Sequence, residues 1–156
     1  MSENQKALQV AALENGTSID HIPSSQLFRV AALLHLDEMD NPITIGNNFK
    51  SSKMESKGII KISDRFFEED EISRIAVLAP QAHINTIRGY EVVEKKQLIL
   101  PDEVVGIVRC NNPRCISNNE PMKSRFSVID KRRGKLQCRY CDTVINRDEI
   151  QLAAKQ

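Results

Sequence analysis

Cys110-Asn111-Asn112-Pro113-Arg114-Cys115 and Cys138-Arg139-Tyr140-Cys141 hold all four cysteines of this 156-residue chain. They form a C-x4-C and a C-x2-C pair with 22 residues between them, the pattern of two knuckles closing on one tetrahedral ion. Four thiolates fill the coordination sphere of Zn(2+), so one ion per chain is expected to act as a structural staple. A catalytic ion would need an open position for water. The other reading of four cysteines is two disulfides. The polar start Met1-Ser2-Glu3-Asn4-Gln5-Lys6 has no apolar stretch behind it, as expected of a soluble chain kept in the reducing cytoplasm, where metal is favoured over disulfides.

Outward from the cysteines, Val104 to Arg109 reads as a strand entering the first knuckle. Phe126–Ile129 and Lys135–Gln137 read as a hairpin around Lys131-Arg132-Arg133-Gly134 that delivers the second, and Val144-Ile145 allows one more strand. This is a small antiparallel β domain of the zinc-ribbon kind. About 55 residues are marginal for a core on burial alone, and a bound ion changes that balance. Pro101-Asp102-Glu103 marks a boundary, dividing the chain into 1–100 and 101–156.

In the first part, Leu8 to Leu13 and Thr17-Ser18-Ile19 read as extended segments broken at Asn15-Gly16, and Asp20-His21-Ile22-Pro23 as a loop. A helix is expected over 25–35, capped by Ser24 or Ser25, with Leu27, Val30, Ala31 and Leu34 at helical spacing. Pro42 to Gly46 alternates as a strand, Asn47 to Ser56 reads as a loop, and Ile59 to Ile62 as a strand. A second helix is expected from Glu68 to Ala79, with Glu68 to Glu71 complementing its dipole and Pro80 ending it. Ala82–Ile87 and Tyr90–Val93 then form a hairpin about Arg88-Gly89. The resulting β-α-β-β-α-β order predicts an α+β, ferredoxin-like antiparallel sheet with two helices on one face and the other face available to a ligand.

Composition excludes several functions. No run of 18 apolar residues is present, so no membrane helix is expected. Net charge is +1, with −3 in residues 1–100 and +4 in 101–156. Arg125, Lys131, Arg132, Arg133 and Arg139 suggest a zinc-ribbon nucleic-acid binder as the alternative function. That excess is modest, however, and Phe126 and Tyr140 are the only aromatics of the second part, few for base stacking. An enzyme is not expected: there is no Gly-rich phosphate loop, no H-E-x-x-H, and every cysteine is committed to metal.

Further stretches narrow the reading. Leu8-Gln9-Val10, Gly16-Thr17-Ser18-Ile19-Asp20-His21-Ile22-Pro23, Ile43-Thr44-Ile45-Gly46, Ile60-Lys61-Ile62, Ala79-Pro80-Gln81-Ala82, Asn85-Thr86-Ile87 and Tyr90-Glu91-Val92-Val93 precede Cys110 to Ile116, Glu120-Pro121 and the second knuckle. In this order they resemble the regulatory chains of aspartate carbamoyltransferase, from residue 8 to the second knuckle. The resemblance implies a non-catalytic subunit in the allosteric regulation of pyrimidine biosynthesis. It implies nucleotide triphosphate effectors (CTP, ATP and in some members UTP) on residues 1–100, a second regulatory chain bound there as a homodimer, and catalytic chains gripped by the zinc domain. Neither nucleic acid nor membrane is an implied partner.

Carried over by position, the resemblance implies Val10, Ala12 and Leu13 beside the base, Asp20 and Lys61 at the ribose, and His21 and Lys95 at the phosphates. Asn85, Ile87, Tyr90 and Val92 complete the pocket. It implies catalytic-chain contacts at Asn112, Arg114, Glu120, Arg139, Tyr140 and Asp142. The residues themselves agree in part: alternation puts Lys61 opposite Ile60 and Ile62, Asn85 with Ile87, and Tyr90 with Val92. Lys95 has the wrong parity and needs a bend to join them. Taken alone, these charged groups would be solvated strand and loop residues. Ser18 stands where the family commonly has an apolar residue, Ala11 where it has an acidic one, and the first knuckle lacks the usual Cys-Pro-Asn start.

Overall fold

The computed structural model describes residues 12–50 and 56–153, and β1 (Gly16–Pro23) lies at the centre of its larger sheet. The first elements are β1, α1 (Leu27–Leu33), β2 (Ile43–Lys50), β3 (Ser56–Ser63), α2 (Glu69–Leu78), β4 (His83–Arg88) and β5 (Glu91–Gln97). Their strands form one five-stranded antiparallel sheet in the order β2-β3-β1-β4-β5. The chain is thus a mixed α+β protein with few helices. Among the described residues no helix is long and apolar enough to cross a membrane.

Strand alternation divides the sheet into two faces. Ile19 pairs with Ile60 on one side and Ile84 on the other, and Thr17 with Ile62 and Thr86. Ile19, Ile60 and Ile62 are fully buried, in one cluster with Leu27 and Val30 of α1 and Ile75, Ala76 and Val77 of α2. The opposite face carries the cross-strand row Thr44, Lys61, Ser18, Asn85, Lys95.

Each helix has a legible cause. α2 opens with Glu69, Asp70 and Glu71 against its positive end, and the Glu71 side chain accepts the Glu68 N–H at 3.3 Å. It ends before Pro80. α1 corrects the expectation: neither Ser24 nor Ser25 caps it. Ser24–Gln26 is a 3-10 turn, and α1 begins at Leu27 with no side-chain cap. It stops at Leu33, short of residue 35, and His35 beyond it is left-handed at φ 53°.

Three other expectations are corrected. Asp20-His21-Ile22-Pro23 is the end of β1, bulged at His21 (φ 61°), not a loop. The expected 47–56 loop is strand at both ends, since β2 runs to Lys50 through a bulge with Asn48 at φ 65° and β3 starts at Ser56, while 51–55 lie outside the described residues. The hairpin turn is centred on Gly89 and Tyr90, at φ 58° and 66°, so Tyr90 is a turn residue. Two left-handed residues make the primed turn that suits strand twist. The expected extended segment Leu8–Leu13 lies, up to Ala11, outside the described residues.

Gly16 opens β1 at φ +143°, and a Cβ there would collide with the Ile62 carbonyl oxygen of β3. Gly16→Ala is expected to destabilise the fold by about 2 kcal/mol or more, because backbone strain and a backbone clash coincide. Thermal unfolding measures this.

The remaining strands are β6 (Glu103–Val105), β7 (Val108–Arg109), β8 (Arg125–Asp130), β9 (Lys135–Cys138), β10 (Val144–Ile145) and β11 (Gln151–Leu152), with a single helical turn α3 (Ile116–Asn119). The expected strand 104–109 is split: Gly106 at φ 73° breaks it, so β6 joins the sheet β10-β9-β8-β6 while β7 pairs with β11. Phe126, Leu136, Ile145 and Val108 form the core here, in one cluster that reaches Leu98, Leu100 and Ile150.

Candidate metal centre and effector face

The two knuckles arrive as β7 runs into Cys110 and β9 ends on Cys138. All four sulfurs lie within 4.8 Å of one another. Cys110 Sγ is 3.5 Å from Cys141 Sγ, and Cys115 Sγ is 3.7 Å from Cys138 Sγ. A disulfide needs about 2.05 Å, and all four thiols are free. A tetrahedron with metal–sulfur bonds of about 2.3 Å has edges of about 3.8 Å, so these donors fit one closed ion site.

The surrounding groups hold the ligands in place. Ser117 Oγ lies 3.1 Å from Cys115 Sγ, and Thr143 Oγ1 3.1 Å from Cys141 Sγ. Asn118 Nδ2 donates to the Cys110 and Asn112 carbonyls at 2.9 and 2.8 Å, tying the first knuckle into α3. Burial pushes the Cys110 thiol up to about 12 and that of Cys138 upward too. Burial also opposes ionisation of Cys141, but hydrogen bonds from Thr143 and from neighbouring thiols bring it down to about 6. Such a mixed set becomes four thiolates only around a cation, whose charge inverts the cost of deprotonation.

The effector candidates fall on the sheet face away from the helices. Ser18 lies between Lys61 and Asn85, and Asn85 faces Lys95. The bend that Lys95 requires is present: β5 carries one extra residue, Val93, so that Val92 faces Ile87 while Lys95 faces Asn85. Burial lowers the Lys61 pKa, with Asp20 opposing the shift. Asp20 accepts the His21 backbone N–H at 2.7 Å and lies 3.3 Å from His21 Nδ1.

At the other end of the face, parity does not place Tyr90. Its N–H donates to the Glu14 carbonyl at 2.9 Å, and Gly89 N–H donates to Asn15 Oδ1 at 3.2 Å. The hairpin turn is thereby held against the segment of Ala12, which is exposed, and Leu13, which is buried. Val10 lies outside the described residues. Tyr90 and Val92 are themselves exposed.

Two further residues join this cluster. Lys57 is buried, with its ammonium 3.2 Å from Asp20 Oδ1. Alternation back from Lys61 through Ile59 would have found it had β3 been extended to residue 56. His83 faces Asp20 across the strands, and its ring centroid is 4.6 Å from that of His21. Its signal was the same alternation, two residues before Asn85.

The candidate docking residues surround the metal loops. Arg114, Glu120, Arg139, Tyr140 and Asp142 are exposed, and Asn112 is half-buried because its Oδ1 accepts the Arg114 N–H at 3.0 Å. Arg139 is drawn aside toward Glu103, 3.9 Å away. Ile116 of α3, next in the chain to the ligand Cys115, is exposed as well.

Comparison with known families gives two matches. Residues 8–99 match the model of the aspartate carbamoyltransferase regulatory chain, allosteric domain, and residues 102–151 that of the same chain's metal binding domain. Among individual relatives, the aspartate carbamoyltransferase regulatory chain of Parabacteroides distasonis is 65% identical over 149 residues, covering 96% of this chain and 97% of that one. That of Phocaeicola vulgatus is 59% identical over 152 residues, covering 97% and 98%. The same-named chain of Thermococcus sibiricus is 45% identical over 145 residues, covering 93% and 96%.

Proposed function

This chain belongs to the family of aspartate carbamoyltransferase regulatory chains, and from that footing we propose how its parts divide the work. It is a non-catalytic subunit with an allosteric and a metal-binding region. Residues 1–100 bind nucleoside triphosphates such as CTP, ATP and UTP, and residues 101–156 fold around Zn(2+) and dock on the catalytic chain. The split ferredoxin-like arrangement and the zinc-ribbon form are the finer fold reading. The sheet order and the closed four-sulfur site support them.

One observation carries the effector reading: Lys61, Asn85 and Lys95 lie in a single cross-strand row, with Asp20, His21 and Lys57 at its flank. Ammonium groups suit a polyphosphate because each adds a charge-assisted hydrogen bond. Asp20 suits ribose hydroxyls, and its pairing with Lys57 keeps both oriented. Ala12, Leu13, Val10, Ile87, Tyr90 and Val92 offer the apolar and backbone contacts a base needs. The zinc assignment rests on four thiolates in a closed site; in that role the ion supplies no reaction chemistry and fixes the knuckles that carry Asn112, Arg114, Glu120, Arg139, Tyr140 and Asp142.

Edge strand β2 supports the regulatory homodimer. Among the described residues it pairs on one side only, and a cleft lined by Ala31, Ala32, Leu36, Ile43 and Ile45, with Asp37 as its one charged group, lies along it, where a second chain would bury surface now in water. The cytoplasm is the compartment that fits free thiols held by metal.

Calorimetric titration of the full chain with CTP, ATP and UTP tests the effector reading. Saturable binding of at least one of them, weakened by added salt, is expected. No binding of any triphosphate would refute it.

A further inference from the structure

The segment that leaves the effector face runs directly into the contact between the allosteric and metal-binding regions. β1 ends at Pro23 and is followed at once by the 3-10 turn Ser24–Gln26. Gln26 is only 2% exposed, and burying an amide is unfavourable unless both of its ends find partners. Both do. Gln26 Nε2 donates to Asp148 Oδ1 at 3.2 Å, and Oε1 accepts from Arg29 Nη1 at 3.0 Å. Arg29 Nη1 also reaches the Arg147 carbonyl oxygen at 3.4 Å.

Arg147 and Asp148 belong to the short 3-10 turn Arg147–Glu149. The far side of that turn is held to the metal loop, because Asn111 Nδ2 donates to the Glu149 carbonyl at 3.2 Å. Asn111 is the immediate chain neighbour of the ligand Cys110. One three-residue turn is therefore gripped from two directions. On one side stand residues just beyond Asp20 and His21, and on the other a residue next to a metal ligand.

We propose that Gln26 is a positioning residue for allosteric coupling: its hydrogen bond to Asp148 converts a shift at the end of β1 into a shift of the metal-binding region. This rests on the effector reading of the sheet face. The apolar cluster that also joins the regions, with Leu98, Leu100, Val104 and Ile150, is non-directional and tolerates sliding. A hydrogen bond is directional and is either made or lost. That gives it the two discrete arrangements a coupling element needs if effector and catalytic partner are both to bias it. An apolar residue of Gln26's size would fill the same space without that requirement.

The test uses holoenzyme reconstituted from the full-length chain and its catalytic chain. Gln26→Leu, Asp148→Ala, the combination of the two, and Asp148→Asn are compared with wild type by two readouts. One is CTP and ATP affinity by calorimetry. The other is the ratio of reaction rates with and without saturating nucleotide at subsaturating aspartate. In Gln26→Leu and Asp148→Ala the affinity should stay within about twofold while the rate ratio moves at least threefold toward unity, within the usual span of coupling factors. The combined variant should be no worse than either single one, because both remove the same bond. Asp148→Asn should keep the response, since its amide oxygen still accepts from Gln26. Asp148 is exposed, so its variants keep the test open if Gln26→Leu fails to fold. A full response in Asp148→Ala with nucleotide bound would overturn the proposal, as would equal loss in Asp148→Asn. If wild type bound neither nucleotide, the effector reading would fail first and this inference with it.

Discussion

Stripping the metal with a chelator, or replacing Cys138 with serine, is expected to unfold residues 101–156 while leaving the five-stranded sheet largely protected. The C-terminal region places Phe126, Leu136, Val108 and Ile145 in its core, a small apolar complement for about 55 residues. A structural Zn²⁺ contributes an apparent ~10–16 kcal/mol at neutral pH, as large as the whole stability of a typical domain. Cys138 is fully buried, and serine there would bring a weaker hydroxyl donor into a four-sulfur site. The sheet of residues 16–97 packs Ile19, Ile60, Ile62 and Ile84 with Leu27 and Val30 of α1 and Ile75 of α2, a set of apolar residues far from the metal knuckles in sequence. Because the chain has no tryptophan, peptide-resolved hydrogen exchange is the suitable measurement. Loss of protection in β8 and β9 with retention in β1 and β3 is the predicted outcome. Equal loss in both regions would refute independent folding.

Lys61→Ala combined with Lys95→Ala is expected to weaken every nucleoside triphosphate about 100-fold. The two side chains stand on either side of Ser18 and Asn85 in one row. Lys95 lost at the phosphates and Lys61 lost at the ribose each remove a hydrogen bond to a charged group of about 1.5–3 kcal/mol, and two at the low end sum to about 3 kcal/mol. Loss should not be total, because Lys57 and His21 remain in the same cluster. The nucleoside without phosphates should lose only the Lys61 contact and weaken by about tenfold. Calorimetry on the double variant measures this directly, and unchanged triphosphate affinity would remove both lysines from the proposed pocket.

The sequence reading succeeded where one local rule decided the outcome. Cysteine spacing located the metal centre, four acidic residues and Pro80 delimited α2, and the alternation of Ile60, Lys61 and Ile62 put Lys61 on the face away from the helices. It fell short where one extra residue altered the register. The bulges at His21, Asn48 and Val93 reset alternation, and His21 and Asn48 are non-glycine residues in left-handed conformations that carry no local sequence mark. The bulge at Val93 is what reconciles Lys95 with Asn85. Lys57 was missed because the polar stretch from Asn47 to Ser56 hides the ends of two strands. Gln26 and Asp148 meet across 122 residues, a distance no local pattern spans.

The central claim is that a metal-folded docking region ties this nucleotide-sensing chain to its catalytic partner. Size-exclusion chromatography of the full chain mixed with an aspartate carbamoyltransferase catalytic trimer, with zinc and after chelation, tests it most directly. The predicted result is a large complex that forms with zinc and dissolves without it. A complex that is absent in both conditions, or that persists after complete metal removal, would contradict the claim.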